Sequence, residues 1–409
     1  MRHIPRDMWL LAAGVAVNSL GFAFMWPLTA IYVHRVLGQP MTVVGVLLTA
    51  QAGAGLLGSF WGGVLFDRFG ARRPLLVAVA VNVMLMAWIG LDRNFWVYAV
   101  GATFAGMGVG VVFPCLNALA AQLWPGAGRN AFNVVYVAQN AGVAFGSILG
   151  GLVASIGFQF TFFSAAMLLA TFWVLIAVAY RGTAFDRPPA PEAAAGRRLR
   201  AHRVPLASLG SATWLLAAGL MLDWVAYVQW QSTTPNYMQA EGLALPLYSL
   251  LWTINGGLIL LGQPLVLAVV RWLPRAKTQI LVGNALFLLA FLLLAGRQAY
   301  PVYVAAMALS TLGEMLVWPA VPAAADQWAP PGRRGTVQGL ISMAGSVGRM
   351  AGPLLGGILY VAIAPAGLFL IMAAIFVGAG LVYLVYDRLG RNPDIRQRVD
   401  PTRSAEQNG

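Results

Sequence analysis

Three ionisable side chains lie deep within long apolar stretches of the sequence: Asp223, Glu314 and Arg349. A charged side chain at the centre of a membrane helix costs about 2.5–3.5 kcal/mol on insertion scales, so each should face a partner or a hydrated cavity. Burial disfavours the ionised form of a carboxylate, so a buried acid can hold a proton and release it when water reaches it. We therefore predict proton coupling at Glu314, with Asp223 as the second choice.

Arg349 allows two interpretations. In the first, it forms a structural ion pair with Glu314, which fixes helix packing and nothing more. In the second, it lies in a substrate cavity. Two acids and one arginine leave one net negative charge, which favours exchange of a monovalent cation against protons. The sequence leaves both interpretations open.

Aromatic and amide side chains lie near these groups at helical spacing. Asp223, Tyr227 and Trp230 are spaced to share one face of a helix, and Glu314 and Trp318 are spaced likewise. Rings offer contact area and cation–π attraction to amphipathic organic molecules without demanding one shape. The predicted substrate cavity consists of Asn18, Gln51, Asn117, Tyr136, Asn140, Tyr227, Trp230, Trp318 and Arg349.

Membrane-spanning helices must position these residues. The 409-residue chain is 59% hydrophobic and 10% charged, with a mean hydropathy of +0.74, and a soluble domain of this composition would expose one continuous apolar surface. A span needs about 20 apolar residues. Helix breakers separate twelve predicted spans, at residues 8–33, 41–66, 74–91, 95–123, 131–156, 160–180, 207–238, 246–270, 278–295, 300–327, 335–361 and 366–387.

The distribution of basic residues predicts the orientation. Only Arg35, Arg93 and Arg297 fall on one side of the predicted spans, whereas 22 of the 26 basic residues fall on the other. Basic residues are enriched in cytoplasmic loops, so both termini are predicted to be cytoplasmic. The net charge of +13 is therefore a topology signal, and no nucleic-acid partner is expected.

The chain also repeats itself. Residues 146–151 (GSILGG) align with residues 352–357 (GPLLGG) at an offset of 206, and a duplication around a linker is typical of secondary transporters with a site between two halves. The predicted domains are an N-terminal six-helix half (1–180), a cytoplasmic linker (181–206), a C-terminal six-helix half (207–387) and a cytoplasmic tail (388–409). Small residues let helices pack closely in lipid, and this role is assigned to Gly146, Gly150, Gly151, Gly352, Pro353, Gly356 and Gly357.

A short charged loop joins the second and third predicted spans, with the sequence GGVLFDRFGARRP over residues 62–74. Its ordered acid, glycine and arginines resemble the signature between helices 2 and 3 of the major facilitator superfamily. The resemblance implies an all-α integral membrane fold with twelve transmembrane helices in two pseudo-symmetric six-helix halves. It also implies a gating motif that locks and releases the inner ends of the halves, formed by Gly63, Asp67, Arg68, Gly70, Arg72 and Arg73.

Two further motifs resemble those of the drug:proton antiporter branch of this superfamily, with departures. The Gly-Pro-x-x-Gly-Gly form of helix 5 is better copied in helix 11, because Ser147 replaces the proline in helix 5. The arginine that usually precedes the Gly-x-Gly-x-Gly pattern, here residues 106–110, is Ala102. Proton coupling must therefore use other groups, which again indicates Glu314 and Asp223.

These patterns predict a secondary active transporter of a bacterial inner or plasma membrane. It is expected to act as a monomer and to export small amphipathic, drug-like compounds, cations included, against protons by alternating access. A lipid or glycolipid flippase and a sugar or metabolite symporter of the same fold are the alternatives. An enzyme is not favoured, because the sequence shows no nucleophile elbow, nucleotide loop or metal-ligand spacing, so no cofactor or metal is expected. A sensor would be expected to carry an appended soluble domain.

Reporter fusions should confirm the predicted topology. A reporter inserted within residues 181–206, or fused after Asp387, should give a cytoplasmic signal, and one inserted near Gly242 should give an external signal, because the basic residues hold their loops inside. Paired phosphatase and fluorescent-protein reporters measure the two outcomes. An external signal from residues 181–206 would overturn both the orientation and the two-half division.

Overall fold

The computed structural model describes residues 4–124, 129–181, 185, 209–296, 299–329 and 334–390. The N-terminal half contains α1 (Arg6–Ala23, continued by short helical turns to Val36), α2 (Met41–Phe69), α3 (Arg72–Leu91), α4 (Phe95–Leu123), α5 (Arg129–Ile156) and α6 (Phe158–Val178). The C-terminal half contains α7 (Ser211–Tyr227, continued by Gln229–Ser232 and Thr234–Ala240), α8 (Leu245–Leu261 and Gln263–Trp272), α9 (Ala276–Gly296), α10 (Tyr300–Gln327), α11 (Arg334–Ala362) and α12 (Pro365–Gly390).

The twelve helices of the described residues confirm the predicted all-α fold. Within these residues, ten helices are long and apolar enough to cross a membrane, and the two parts of α8, bent by 56°, together form an eleventh candidate. The remaining helix, α11, has 29 residues and is long enough to span. It carries Ser342, Ser346 and Arg349 along its length, and these polar side chains lower its hydropathy.

The two halves repeat the same packing. In the N-terminal half, α1 packs against α5 and α6, α2 against α4, and α3 against α4 and α6. In the C-terminal half, α7 packs against α11 and α12, α8 against α10, and α9 against α10 and α12. Each of these contacts in the N-terminal half has a counterpart in the C-terminal half, formed by the helices whose numbers are higher by six. The sequence duplication is thus a structural pseudo-symmetry, as predicted.

The halves meet on one side of the bundle. We call the side where α6 ends and α7 begins the linker side, and the opposite side the far side. Two helix pairs join the halves, α2 with α11 and α5 with α8. Thr49 Oγ1 donates a hydrogen bond to the carbonyl of Met350 at 2.7 Å. Thr253 Oγ1 donates to the carbonyl of Ala144 at 2.8 Å. The internal repeat relates these two hydrogen bonds to each other.

Further contacts close the far side. The rings of Trp26 and Trp252, one from each half, have centroids 4.8 Å apart. His34 lies edge-on to Tyr360 at 5.8 Å, and Arg35 Nη2 donates to a backbone carbonyl of the C-terminal half at 3.5 Å. Trp26, His34 and Arg35 come after Ala23, where α1 ends as a regular α-helix. Aromatic packing and hydrogen bonds thus seal the bundle at this end.

On the linker side the same helices are apart. Phe60 on α2 is 67% exposed and Tyr136 on α5 is 41% exposed. A Cβ built at Gly63 on α2 or at Gly339 on α11 would have no atom within 4 Å. The faces of α2, α5 and α11 that join the halves on the far side therefore continue as free surface on the linker side, and we infer from this a cavity between the halves that opens to the linker side.

Replacing Gly357 with leucine should separate the halves on the far side. A Cβ at this position would lie 3.1 Å from the carbonyl carbon of Met41 and 3.3 Å from the Cα of Thr42. These are backbone atoms of α2, which cannot rotate away. We expect nitroxide labels on cysteines placed at Leu91 and Glu241, one in each half, to move apart in double electron–electron resonance measurements.

The matched control is Gly378→Leu on α12. A Cβ there would meet no atom within 4 Å, so the label distance should stay at its original value. The native Cys115 is buried and leaves the introduced cysteines as the labelled sites. An unchanged distance distribution in Gly357→Leu would show that this contact does not hold the far side closed.

Candidate functional site

Glu314 joins three helices of the C-terminal half. It lies on α10 and is 7% exposed. Its carboxylate accepts a hydrogen bond from the hydroxyl of Tyr227 on α7 and another from Asn255 Nδ2 on α8 at 3.0 Å. Asn255 Nδ2 also donates to Thr311 Oγ1 at 3.0 Å. Two donors thus stabilise the carboxylate inside the bundle, where water is scarce.

Asp223 occupies a separate network. It is fully buried on α7 and accepts hydrogen bonds from Asn284 Nδ2 on α9 at 2.8 Å and from Tyr383 Oη on α12 at 2.7 Å. Its carboxylate therefore points into the interior of the C-terminal half. The two acids predicted to couple protons therefore belong to separate hydrogen-bond networks.

The predicted cavity face of α7 is also buried. Tyr227 is 3% exposed and Trp230 is fully buried, and Trp230 Nε1 donates to Ser310 Oγ on α10 at 3.1 Å. Helical spacing predicted one shared face for Asp223, Tyr227 and Trp230. Tyr227 and Trp230 both reach α10, whereas Asp223 reaches α9 and α12. Helical spacing did not predict these partners within the same half, because the period of a helix does not define its rotation about its own axis.

Arg349 does not pair with Glu314 in this structure. Its side chain is exposed, its guanidinium carbon lies 4.4 Å from the ring centroid of Trp224, and its Nη2 donates to Ser346 Oγ at 3.2 Å. Trp224 in turn stacks on Trp318 with centroids 4.5 Å apart and an interplanar angle of 5°. Arg349, Trp224 and Trp318 form a continuous stack, which we call the cation–aromatic stack.

The cation–aromatic stack contacts the proton site through one residue. Tyr227 lies edge-on to Trp224 and to Trp318, in both cases with centroids 5.6 Å apart, and its hydroxyl donates to Glu314. Two glycines of α11 leave room for Trp224, because a Cβ at Gly345 would lie 3.2 Å from its ring and one at Gly348 would lie 2.7 Å from its Cβ. A change in the protonation of Glu314 can therefore affect the cation–aromatic stack through Tyr227.

Sequence reasoning missed Trp224 and Asn255. Trp224 is adjacent to Asp223 in sequence, and its spacing of three residues from Tyr227 was the available signal. Asn255 is an amide within an apolar segment, which membrane helices tolerate only where a partner is present. Asn255 follows from the rule that identified Glu314, whereas Trp224 follows only from its spacing to Tyr227.

The N-terminal half contributes polar groups in different settings. Asn18 is buried, Gln51 and Asn140 are partly buried, and Asn117 is exposed. Asn140 Nδ2 donates to the carbonyl of Tyr136, one turn earlier on α5, at 2.8 Å. Of these residues, Tyr136 and Asn140 lie on the part of α5 where the contact with α8 gives way to free surface.

The predicted gating motif forms the turn between α2 and α3. Gly70 has φ +74°, a left-handed conformation that favours glycine, and its N–H donates to the carbonyl of Phe66 at 2.9 Å. Arg72 donates to the carbonyls of Ile176 at 3.2 Å and Ala177 at 2.8 Å, at the end of α6. It thereby caps that helix within its own half.

The other members of the motif have different surroundings. Arg68 lies over the ring of Phe69, 5.1 Å from its centroid, and Arg73 is exposed. Gly63 faces open space. The side chain of Asp67 lies outside the part that the structure describes, so its predicted role in gating stays a prediction.

The packing glycines divide into two groups. A Cβ at Gly146 or Gly150 would meet α1, and one at Gly352 or Gly356 would meet α7. By contrast, Gly151 faces Ser249 and Gly357 faces Met41, so the last glycine of each repeat contacts the opposite half. The carbonyl of Pro353 likewise lies against Gly45 of α2. The repeated motif therefore serves both packing within each half and closure between the halves.

Comparisons with known proteins identify relatives along the whole chain. A family model described as Major Facilitator Superfamily matches residues 11–325 and 275–407. A Bacillus subtilis (strain 168) protein named "Uncharacterized MFS-type transporter YttB" is 41% identical over 357 residues, which cover 87% of this chain and 89% of that protein.

More distant relatives match part of the chain. The "Multidrug resistance protein MdtH" of Photorhabdus laumondii is 28% identical over 170 residues, covering 40% of this chain and 41% of that protein. The "Quinolone resistance protein NorA" of Staphylococcus aureus is 24% identical over 165 residues, covering 40% and 42%.

Among solved structures, a POT family transporter in complex with 5-aminolevulinic acid superposes with a TM-score of 0.80. The two chains are 15% identical, and the superposition covers 96% of this chain and 97% of that one. At this identity the likeness shows the fold alone.

Tyr383→Phe should destabilise the protein, because it removes a donor to the buried carboxylate of Asp223. A buried acceptor left without its partner costs about 1–3 kcal/mol. We expect the apparent melting temperature of the purified protein to fall by several degrees. The control is Tyr136→Phe, which removes a hydroxyl from an exposed side chain and should leave the melting temperature unchanged. Equal effects of the two substitutions would contradict a structural role for the Asp223 network.

Proposed function

The chain belongs to the Major Facilitator Superfamily, and we propose that this membrane transporter exports small amphipathic compounds in exchange for protons. The observation that carries this proposal is a carboxylate, Glu314, buried between three helices and linked through Tyr227 to aromatic rings. The expected partners are therefore a small-molecule substrate, protons and the lipid bilayer, and we propose that one chain suffices for transport.

We place the linker side in the cytoplasm, because 22 of the 26 basic residues fall on that side of the predicted spans. Both termini are then cytoplasmic, and the cavity of this structure opens inward. The proposed units are the halves 1–180 and 207–387, joined by the linker 181–206 and followed by the tail 388–409. Transport requires the halves to rock, so that the far-side contacts break while the linker side closes.

Glu314 is the proposed proton carrier. The hydrogen bonds from Tyr227 and Asn255 offset the cost of burying its ionised form. Burial without a cationic partner among the described residues acts in the opposite direction. These opposing effects make both states accessible. A substrate with a basic group competes with the proton for the same carboxylate, so loading one releases the other, and the two fluxes are coupled.

The loop between α2 and α3 is the proposed gate. In the inward-open state the linker-side ends of α2 and α11 are apart, and Gly63 faces open space. Asp67 and Arg68 lie at this end of α2 and become available to the other half when the linker side closes. Charge-assisted contacts formed only in that state would stabilise the outward-open form.

The names of the distant relatives agree with an export function. MdtH and NorA are named for multidrug and quinolone resistance, and resistance is the result that export of amphipathic drugs would produce. The cation–aromatic stack also supports this proposal, since flat rings accept many organic shapes.

Glu314→Gln should abolish substrate accumulation driven by a pH gradient. Glutamine mimics the protonated acid, so the site no longer exchanges a proton between the two states. Exchange of substrate down its own gradient should survive, because rocking of the halves does not require the carboxylate. Both activities are measured in proteoliposomes loaded with a fluorescent amphipathic amine, with and without an imposed pH gradient.

The comparison variant is Asp223→Asn, which removes the charge of the other buried acid without touching Glu314. It should retain a response to the pH gradient in whatever fraction of protein folds. If Glu314→Gln accumulates substrate as well as the parent does while Asp223→Asn does not, the roles of the two acids are reversed. If both variants respond to the gradient, neither acid carries the proton.

A further inference from the structure

Arg349 carries a charge that proton exchange at Glu314 does not use. It lies on α11 next to Met350, whose carbonyl bonds to α2, so it is placed where contact between the halves ends and the open cavity begins. Its side chain is exposed. An arginine within a membrane span is costly and is expected to face a partner or a hydrated cavity.

Most donors of the Arg349 guanidinium are not used in the described hydrogen bonds. The guanidinium carbon lies 4.4 Å from the ring centroid of Trp224, and a guanidinium carries five N–H donors in its plane. One of the described hydrogen bonds uses Nη2, towards Ser346 Oγ at 3.2 Å. The contact with the ring restricts where the guanidinium lies without using any of the described hydrogen bonds. This arrangement suits bidentate binding of a planar acidic group such as a carboxylate.

The buried acids of the protein are engaged elsewhere. Glu314 accepts hydrogen bonds from Tyr227 and Asn255, and Asp223 accepts them from Asn284 and Tyr383. Among the described residues, neither acid forms an ion pair with Arg349. The exposed surface of α11 around Arg349 therefore carries a positive charge. No carboxylate within the described ranges neutralises this charge.

We propose that Arg349 is the subsite for an acidic group of the substrate. The substrate class is then an amphipathic aromatic compound that carries both a carboxylate and a basic amine. The carboxylate binds the edge of Arg349, and the ring packs against the cation–aromatic stack. This inference rests on the proposed function in one respect: the amine is the group that competes with the proton at Glu314.

A substrate that carries only a positive charge is expected to bind the surface around Arg349 less well than one that also carries a carboxylate. The face of Trp224 is already covered by Arg349 on one side and by Trp318 on the other. A second cation would have to displace the guanidinium or lie close to it, and either costs energy. A carboxylate on the same molecule removes this repulsion. The expected substrate class is thus narrowed from drug-like compounds in general to zwitterionic ones.

Four ligands with one aromatic body test the assignment. They are 3-(2-naphthyl)alanine, its methyl ester, its N-acetyl derivative and the N-acetyl methyl ester, which at pH 5.5 present a zwitterion, a cation, an anion and a neutral molecule. Binding to the full chain in lipid nanodiscs is measured by titration calorimetry, with empty nanodiscs as the blank. The series separates the contribution of the carboxylate from that of the amine.

The parent protein should bind the zwitterion about 10- to 100-fold more tightly than the methyl ester, the range expected for a hydrogen bond between charged groups. Arg349→Met should remove this preference and leave the affinity for the ester unchanged or raised. Arg349→Lys keeps the charge but loses the planar fork, so it should retain part of the preference. Each ratio is measured within one folded variant, so a change in yield does not affect it.

Three results would overturn the acidic subsite: equal or tighter binding of the methyl ester to the parent, equal weakening of acid and ester by Arg349→Met, or no binding of any of the four ligands. Glu314→Gln tests the other end of the molecule, since it should weaken the two amine-bearing ligands more than their N-acetyl counterparts. A failure confined to Glu314→Gln would contradict the proposed proton competition and leave the subsite at Arg349 standing.

Discussion

The structure depends on the contacts that let its two apolar six-helix halves associate within the lipid bilayer. Hydrophobicity does not drive helices together in a membrane, so association requires close backbone approach and interhelical hydrogen bonds. Here the halves meet where glycines such as Gly151 and Gly357 bring α5 to α8 and α11 to α2. Because these contacts are confined to the far side, the remaining surfaces of the same helices are free to line a cavity. The position of the glycines thus determines where the cavity begins.

The functional residues follow from a second property of the bilayer, its intolerance of unpaired polar groups. Glu314 is stable within the bundle because two other helices supply donors. Tyr227 then has two roles, since it donates to this carboxylate and packs edge-on against the tryptophan rings. Tyr227 therefore connects the proposed site of proton exchange with the surface proposed for the substrate. Because it contacts both, coupling between the two sites requires no further residue.

The fold could be predicted almost entirely from the sequence, because span length, basic loops and the internal repeat each report on the bilayer. The candidate site could be predicted in part. Glu314 and Arg349 were identified by their charge within apolar helices, but their partners were not. The rotation of α7 decides that Asp223 reaches α9 and α12 while Tyr227 reaches α10, and no local pattern encodes that rotation. Trp224 escaped notice because a tryptophan in an apolar helix resembles one that faces lipid.

The two threonines that join the halves have a consequence for the cost of motion. Thr49 and Thr253 each donate to a carbonyl of the opposite half. A threonine hydroxyl within a helix can equally bond to the carbonyl four residues earlier on its own chain. When the halves part, each hydroxyl can exchange one acceptor for another, and neither is stranded in the membrane interior. Both the closed and the open position of the joint therefore satisfy the two threonine hydroxyls, and parting the halves leaves no unpaired donor at these positions.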